Sequence, residues 1–326
     1  MIDMTQPLAL IFPGQGSQQI GMLRELAERY SVVRTTFEEA ADALGYDLWQ
    51  VVQEGPAEAL NATACTQPAL LTASVAIWRV WQELEGPRPG AMAGHSLGEY
   101  SAMVCAGTLP FADGVRLVKL RGEAMQEAVP MGQGAMAAIL GLDDAVVEEA
   151  CAKAAQGEVV AAVNYNAPGQ VVIAGGKAAV DRAIAACQEA GAKRAMPLPV
   201  SVPSHCDLMR PAAERLSAAM DDIELRPPRY TVIQNVDAQA HADVETLRTR
   251  LIEQLYQPVR WTACVEAMVA QGAEVFIECG PGKVLTGLNK RIARGTRGLA
   301  VNDPDSLSAA LDLAREAVGQ SPSANA

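Results

Sequence analysis

The chain has 326 residues, half of them apolar, which is enough for one large domain with a sizeable core and a second, smaller one. Its net charge of −12 argues against a nucleic-acid partner, because no broad positive surface would attract phosphate. The apolar run at residues 8–12 is too short for a signal peptide or a membrane span. We therefore expect a globular protein of the cytoplasm that does not associate with membranes.

The seven cysteines are scattered along the chain, are odd in number and form no C-x-x-C pair. This pattern favours reduced thiols in a cytosolic compartment. It predicts neither a disulfide framework nor a zinc site, and we expect no metal in the functional site.

The first part of the chain alternates between strand-like and helix-like segments. The apolar strands that it contains are typical of a parallel sheet buried on both faces, so the fold class predicted here is α/β with a mostly parallel sheet. The predicted elements are a strand at 8–12, a loop at 13–18, a helix to about Arg29, helices at 34–44 and 67–85, a turn-rich connector at 86–90, a strand at 91–93 and a helix at 97–106 closed by Gly107.

Residues 133–198 follow a different pattern, β-α-β-β-α-β, which is the order of a ferredoxin-like subdomain. Its predicted elements are strands at 135–140, 159–164, 170–174 and 194–198 and helices at 143–155 and 177–190. The subdomain is predicted to be inserted, because a buried strand returns at 275–277, followed by a helix from Val284 and a last helix over about 306–318. The predicted division is a large α/β catalytic domain of residues 1–131 plus 199–310, a small subdomain of residues 132–198, and a C-terminal helix end and tail of residues 311–326, with 321–326 frayed.

Residues 94–98 read Gly-His-Ser-Leu-Gly and lie between a predicted strand and a predicted helix. In a sharp strand-to-helix turn the hydroxyl of Ser96 would project from the backbone beside the positive end of the helix dipole. The glycines would let the turn close and a substrate carbonyl approach. The sequence thus predicts Ser96 as a nucleophile; the alternative is a glycine-flanked turn with a capping serine.

A nucleophilic serine needs a base, and the chain has three histidines. The side chain of His95 should point away from the hydroxyl of its neighbour, and His241 lies in a polar stretch that resembles a solvated loop. By elimination His205, which follows a rigid Pro-containing connector, is the predicted base. The alternative for His205 is a surface residue that caps a helix beginning near Asp207.

Acyl transfer also needs an oxyanion hole. One donor should be the backbone N–H of Leu97, the residue after the nucleophile. The second must come from another loop at a strand end, and the N–H of Gln15 in the loop after the first strand is the candidate. The spacing of the glycines in that loop does not fit a nucleotide-binding motif, but an ordinary structural turn remains possible.

Arg121 falls within the apolar stripe of its predicted helix. A guanidinium on a face directed at the core requires a carboxylate. That carboxylate could be internal, such as Glu99, or it could belong to the substrate.

Together these residues resemble a known family, the malonyl-CoA:acyl carrier protein transacylases of bacterial fatty acid synthesis. Each motif is short, but six of them occur in the expected order, and the resemblance spans about residues 7–310. The motifs are Phe-Pro-Gly-Gln-Gly-Ser-Gln at 12–18, Gly-His-Ser-Leu-Gly-Glu-Tyr at 94–100, Leu-Arg-Gly at 120–122, Asn-Tyr-Asn-Ala-Pro-Gly-Gln at 164–170, Val-Pro-Ser-His at 202–205 and Gly-Pro-Gly at 280–282.

The resemblance implies an α/β hydrolase-like domain with a ferredoxin-like insert, and a catalytic dyad of Ser96 as the acylated nucleophile and His205 as its base. It implies that the N–H groups of Gln15 and Leu97 form the oxyanion hole. It also implies that Arg121 clamps the malonyl carboxylate and that His95 lies beside the acyl group. The main-chain carbonyl of Gln254 is implied to orient His205. The implied partners are a malonyl-CoA thioester and acyl carrier protein, with no metal or redox cofactor.

Other functions remain open at this point. A serine thioesterase or hydrolase would use the same turn but deliver water, and Arg121 would then have no purpose in an apolar acyl pocket. The same transacylase could serve polyketide synthesis or malonate decarboxylation. A carrier-protein docking module without activity is disfavoured, because Ser96, His205 and Arg121 are all present.

Acyl carrier proteins of this pathway are acidic, so a local basic patch must outweigh the overall negative charge of the chain. The candidate is the segment Lys290, Arg291, Arg294 and Arg297, with Lys283 nearby. The alternative is a solvated helix end whose cations satisfy the helix dipole. Lys193 and Arg194 of the small subdomain are the second candidate surface.

Overall fold

The structure is a computed structural model that describes residues 6–200 and 202–319. Two separate β-sheets and the helices around them make up this part of the chain. The strands are β1 (Leu8–Phe12), β2 (Ala91–Gly94), β3 (Gly134–Leu140), β4 (Val160–Ala167), β5 (Gln170–Gly176), β6 (Arg194–Pro197), β7 (Thr231–Ile233), β8 (Val275–Cys279) and β9 (Arg297–Val301). The helices are α1 (Arg24–Arg29), α2 (Ser31–Leu44), α3 (Leu48–Glu54), α4 (Ala57–Asn61), α5 (Thr63–Glu83), α6 (Leu97–Cys105), α7 (Phe111–Ala128), α8 (Asp144–Ala155), α9 (Lys177–Glu189), α10 (Arg210–Met220), α11 (Val244–Glu253), α12 (Trp261–Ala270), α13 (Val284–Ile292) and α14 (Pro304–Ala317).

The larger sheet has the strand order β7-β2-β1-β8-β9, and every neighbouring pair is parallel. Its central strand β1 is fully buried, as its continuous apolar sequence predicts for a sheet covered on both faces. Successive side chains of β1 point to opposite faces of the sheet and enter different cores. One core contains Leu8, Leu10 and Phe12, and the other contains Ala9 and Ile11. The predicted α/β fold with a mostly parallel sheet is therefore confirmed.

The smaller sheet has the order β4-β5-β3-β6 with antiparallel pairing throughout. Helices α8 and α9 supply apolar side chains, including Val147, Cys151 and Val180, to a core shared with its strands. The predicted β-α-β-β-α-β order of residues 133–198 is confirmed. The domain boundaries themselves stay a prediction, which this separate core supports.

One strand of the small sheet also contacts the large unit. The N–H of Tyr165 in β4 donates to the carbonyl of Val259 over 3.0 Å, and the N–H of Val259 donates to the carbonyl of Val163 over 2.8 Å. These bonds fix the carboxyl end of β4 against the segment that follows α11. Residues on β4 are thereby brought next to the end of the parallel sheet.

The structure also differs from the sequence prediction in several elements. The helix expected after residue 18 begins only at Arg24. The elements that were not predicted include the edge strands β7 and β9, the short helices α3 and α4, and the helices α11 and α12. The C-terminal segment predicted to begin at residue 311 starts inside α14, whose side chains Leu307, Ala310, Leu311 and Ala314 pack in the main core. The frayed end predicted for 321–326 lies outside the described residues.

All seven cysteines lie within the described ranges and are free thiols, six of them buried and Cys65 half-buried. Burial raises the pKa of every one of them above that of an ordinary thiol. Among the helices described, none is both long and apolar enough to cross a membrane.

Candidate active site

Ser96 lies in the turn between β2 and α6, with φ 53° and ψ −109°. A positive φ is unusual for a residue with a side chain and stores strain that the surroundings must hold. Two side-chain amides hold it here: the Oδ1 of Asn235 accepts from the Ser96 N–H at 2.8 Å, and the Nε2 of Gln254 donates to the Ser96 carbonyl at 3.0 Å. The strand–turn–helix predicted around this serine is present.

The two glycines that flank the turn allow backbone segments to cross at close range. A Cβ at Gly98 would lie 2.1 Å from the carbonyl oxygen of Phe12, and one at Gly94 would lie 1.8 Å from the carbonyl carbon of Gly98. Helix α6 can therefore start directly against β1 and β2. From the sequence we expected these glycines partly to let a substrate approach, but their neighbours in the structure are the protein's own backbone atoms.

The structure brings His205 to Ser96. Its Nε2 lies 2.7 Å from the serine Oγ, and its Nδ1 lies 2.6 Å from the main-chain oxygen of Gln254. A carbonyl can only accept, so Nδ1 carries the proton and the lone pair of Nε2 faces the hydroxyl. His205 is only 3% exposed, which excludes the alternative of a surface residue capping the helix.

The protonation state of this histidine follows from its surroundings. Burial, together with the nearby positive charge of Arg121, lowers the pKa of His205 to about 3. The ring is therefore neutral at neutral pH. A neutral imidazole with its lone pair on the serine hydroxyl is the form that can accept a proton.

The other two histidines do not contact the serine hydroxyl. The Nε2 of His95 lies 2.8 Å from the Oδ1 of Asn166 on β4, and burial lowers the pKa of His95. His95 nevertheless lines the same cavity as Ser96. His241 is paired with Asp237 at 2.9 Å, with one fifth of each side chain exposed, and so is less solvated than the sequence suggested.

Arg121 of α7 is 1% exposed and points at the same serine. Its Nη2 donates to Ser96 Oγ over 3.3 Å and to Gln254 Oε1 over 3.1 Å, and its Nη1 donates to Gln67 Oε1 over 2.9 Å. Its Nε has no hydrogen-bond partner among the residues that the structure describes, and the guanidinium lies 5.2 Å from the ring centroid of Tyr100. In the described part of the chain this cation has no carboxylate partner, so the internal ion pair with Glu99 that the sequence left open does not form.

Gln15 and Leu97 line the same cavity of about 640 Å³ as Ser96, His205 and Arg121. Leu97 is the first residue of α6, so its N–H has no acceptor within the helix. Gln15 lies in the loop after β1, and that loop is held against the serine turn: a Cβ at Gly14 would lie 2.6 Å from the carbonyl oxygen of His95. Both N–H groups stay candidates for an oxyanion hole.

Sequence reasoning missed several residues that touch this centre. Gln67 and Asn235 were not singled out, and Asn166 was quoted only within a motif. Asn235 follows β7, whose carboxyl end lies beside that of β2 in the parallel sheet, and that adjacency could have identified it had β7 been predicted. Gln67 gives a weaker signal, as an amide side chain in a helix that is mostly buried.

Within residues 6–200 and 202–319, no group of three or more histidine, cysteine or acidic side chains could hold a metal ion. The candidate site consists of a serine, a neutral histidine, an arginine and side-chain amides. This arrangement on an α/β fold is typical of enzymes that carry an acyl group on a serine.

Comparison with known proteins identifies the family. A family model described as "Acyl transferase domain" matches residues 9–302. The chain belongs to this family and is an acyltransferase.

Curated relatives of named activity match over nearly their whole length. The malonyl CoA-acyl carrier protein transacylase of Escherichia coli strain K12 is 60% identical over 310 residues, which cover 95% of this chain and 100% of that protein. The protein of the same name from Bacillus subtilis strain 168 is 45% identical over 310 residues, covering 95% and 98%.

Solved structures agree in fold. An acyl carrier protein S-malonyltransferase from Vibrio cholerae is 61% identical with a TM-score of 0.92, covering 93% of this chain and 99% of that one. A malonyl-transacylase in complex with its type II PKS acyl-carrier protein is 57% identical with a TM-score of 0.93, covering 94% and 99%.

Proposed function

We infer that this protein transfers the malonyl group of malonyl-CoA to the thiol of acyl carrier protein through a malonyl-serine intermediate. The observation that carries the inference is the buried guanidinium of Arg121, 3.3 Å from Ser96 Oγ and without a carboxylate partner among the described residues. A buried cation of this kind favours a ligand that brings its own carboxylate. The names of the relatives agree with that chemistry.

In the first half-reaction we propose that Ser96 Oγ attacks the thioester carbonyl while His205 Nε2 takes the hydroxyl proton. The negative charge that develops on the carbonyl oxygen would be stabilised by the N–H groups of Gln15 and Leu97. The carbon–sulfur bond then breaks, the proton passes from His205 to the departing CoA sulfur, and a malonyl ester remains on Ser96.

The second half-reaction reverses these roles with a different thiol. The phosphopantetheine thiol of acyl carrier protein attacks the ester carbonyl and gives its proton to His205. The carbon–oxygen bond to Ser96 breaks, and His205 returns the proton to the serine. The main-chain oxygen of Gln254, 2.6 Å from Nδ1, would stabilise the imidazolium that exists between the two transfers.

The malonyl carboxylate has a second effect in this scheme. The charge of Arg121 contributes to the low pKa of His205. A bound carboxylate would neutralise that charge and so raise the pKa of the histidine toward the working pH. The substrate would thus make the base stronger when it binds, an advantage that an uncharged acetyl group lacks.

The main rival is a serine thioesterase, in which water replaces the carrier thiol. The buried cation disfavours it, because an apolar acyl chain would leave Arg121 without a partner. A second question is which carrier protein is served. The relative that binds a type II PKS acyl-carrier protein makes a polyketide carrier a specific alternative to the carrier of fatty acid synthesis.

The test is to mix the protein with malonyl-CoA, trap the acyl-enzyme and measure its intact mass, followed by peptide mapping. We expect one malonyl group on the peptide that contains Ser96, none in Ser96→Ala, and rapid release on addition of either carrier protein but slow release in water. A label on a cysteine peptide, or one that persists in Ser96→Ala, would contradict the proposal. Release at the same rate by water and by carrier would favour the thioesterase.

A further inference from the structure

Glu99 is a fully buried carboxylate on the first turn of α6, close to the site but without contact to any reacting atom proposed above. Within residues 6–200 and 202–319 it accepts from three donors, all of them neutral: Gln234 Nε2 at 3.0 Å, the N–H of Asn235 at 2.7 Å and Gln254 Nε2 at 3.0 Å. Burying a carboxylate without a cation is costly, and the hydrogen bonds from these three donors offset part of that cost. The three donors also indicate what the carboxylate does in this position.

Gln254 lies between two groups of opposite hydrogen-bonding character. An ionised carboxylate can only accept and a guanidinium can only donate. The amide of Gln254 therefore has one favourable orientation, with Nε2 toward Glu99 and Oε1 toward Arg121, at 3.0 and 3.1 Å. Glu99 thus acts on the guanidinium through one intervening side chain.

Asn235 is held by the same carboxylate through its backbone. With its N–H bonded to Glu99 Oε2, its side chain spans the serine turn, accepting from the Ser96 N–H and donating to the Gly94 carbonyl, both over 2.8 Å. The carboxylate therefore holds both the amide that orients Arg121 and the amide that holds the strained serine.

We propose that ionised Glu99 is a positioning residue that keeps the Arg121 guanidinium correctly placed relative to Ser96. Loss of its charge would then lower malonyl transfer more than acetyl transfer. The proposal rests on the function inferred above. It adds a residue that touches neither the substrate nor the nucleophile's side chain.

The ionisation of this group falls within the working pH range. Burial raises the pKa of Glu99 to about 7, although its three donors oppose the rise. A protonated carboxyl would direct an O–H at one of those donors and lose that bond. The titratable and charged groups that face Glu99 are Arg121 of α7, Tyr100 of α6, Cys264 of α12 and Asp237. Asp237 is in turn paired with His241 and Arg250.

The experiment compares Glu99→Gln with Glu278→Gln, measuring kcat/KM for malonyl-CoA and acetyl-CoA across the pH range. Glu278 is the matched control, because it is an equally buried carboxylate with a raised pKa, but it bonds the start of α13 through Leu285 and Thr286. At about pH 8 we expect Glu99→Gln to lose malonyl transfer by up to about 100-fold, as for a displaced catalytic group. Acetyl transfer should fall by a smaller factor, and Glu278→Gln should keep the wild-type ratio of the two.

The pH profile separates positioning from a purely structural effect. In the wild type, the ratio of malonyl to acetyl transfer should fall as the pH drops through about 7, well above the usual pKa of about 4 for the substrate's own carboxyl. In Glu99→Gln that ratio should be low and independent of pH, whereas His241→Ala should keep the wild-type profile. This wild-type measurement stands even if a variant does not fold.

A wild-type ratio that is constant with pH would overturn the proposal, as would a Glu99→Gln variant with the wild-type ratio and profile. An equal loss in Glu278→Gln would also overturn it. If Ser96 is acylated by malonyl-CoA as proposed while these results appear, the positioning role alone has failed and the proposed function is unaffected.

Discussion

At the scale of single residues, the surroundings of Arg121 support the acyl group that we propose for the site. Among the described residues the guanidinium is bonded only to neutral oxygens of Gln67, Ser96 and Gln254, and its Nε has no partner there. A substrate carboxylate would supply both the charge and the missing acceptor. On the proposed function, selectivity for the malonyl group would depend on this side chain.

We predict that Arg121→Ala weakens malonyl transfer by about 3–5 kcal/mol, because the substrate carboxylate would be buried without its partner. Acetyl transfer should fall much less or rise, since removing this charge also removes one cause of the low pKa of His205. The measurement is kcat/KM for both CoA esters. An equal loss for the two substrates would mean that Arg121 is structural.

The predicted role of His205 is tested by comparison with His241. His205→Ala should slow both CoA release and carrier acylation by about 100-fold or more, as expected when a positioned base is lost. His241→Ala should be close to wild type, because its partner is Asp237 and it makes no contact with Ser96. Stopped-flow measurement of each half-reaction gives the two rates, and similar behaviour of the two variants would refute the assignment.

The sequence predicts those residues whose proposed role follows from a local sequence pattern. It does not predict residues whose role depends on contacts between distant segments. Ser96 follows from its position between a strand and a helix, and Arg121 from a charge on an apolar face. Asn235 contacts Ser96 from 139 residues away in the sequence, and Gln67 contacts Arg121 from 54 residues away. Both amides reach the site only because the fold brings distant segments together. Local sequence patterns therefore mark such residues weakly or not at all.

At the scale of elements, the site depends on how closely α6 starts against the ends of β1 and β2. The N–H of His95 donates to the carbonyl of Phe12 over 3.0 Å, so the turn continues the pairing of the two strands. The loop carrying Gln15 follows directly. A shift of α6 would therefore move both proposed oxyanion donors relative to each other.

We predict that Gly98→Ala lowers the free energy of unfolding by about 1–3 kcal/mol, as for an overpacked core, and also impairs malonyl transfer. Its Cβ would lie 2.1 Å from the Phe12 carbonyl oxygen, and that backbone must move.

The matched control is Gly287→Ala in α13, where nothing lies within 4 Å of the new Cβ. There the substitution should raise stability by about 0.5–1 kcal/mol, because alanine loses less backbone entropy than glycine in a helix. Thermal and denaturant unfolding measure both changes. A Gly98→Ala protein as stable and active as the wild type would show that α6 does not need this close approach.

Apolar runs and element order predicted much of the fold, including β1 as a continuous apolar strand and the six elements of the small subdomain. Helices α11 and α12 were not predicted although each has ten residues, so length alone does not explain the outcome. β7 has only three residues between turns, and most of β9 is not fully buried, so neither gives a distinctive pattern. The parallel sheet was thus predicted without its two edges.

At the scale of the whole molecule, the two candidate basic surfaces are neighbours. Arg291 of α13 donates to the carbonyl of Pro168 in the turn between β4 and β5 over 2.9 Å. The next residue of that turn, Gly169, accepts from Gly141, and Leu140 accepts from Lys193, each over 2.8 Å. An acidic carrier protein could therefore meet cations from both sheets along one edge.

We predict that Arg294→Glu raises the KM for carrier protein while leaving acylation by malonyl-CoA unchanged, and that the carrier step weakens with salt as the Debye length falls to about 8 Å. Arg294 is the better test of the segment because Arg291 also joins the two sheets and Arg297 is paired with Glu316. Lys193→Glu should act in the same direction.

The control for docking is Arg34→Glu, an exposed arginine on α2 that lies over Trp49. It changes the net charge by the same amount but should leave the carrier KM unaltered. If all three variants raise that KM equally, overall charge and not a local surface governs the encounter. If none does, the carrier binds elsewhere.

The state of the seven thiols has a consequence for chemoselectivity. Thioesters exchange readily with thiolates, so an exposed, ionised cysteine would divert acyl groups from the intended acceptor. Here the pKa of each thiol is raised, and the one next to the proposed base in sequence, Cys206, has a pKa of about 11 and donates to the Pro203 carbonyl. The protein can thus bind one thioester and form another while its own thiols do not react.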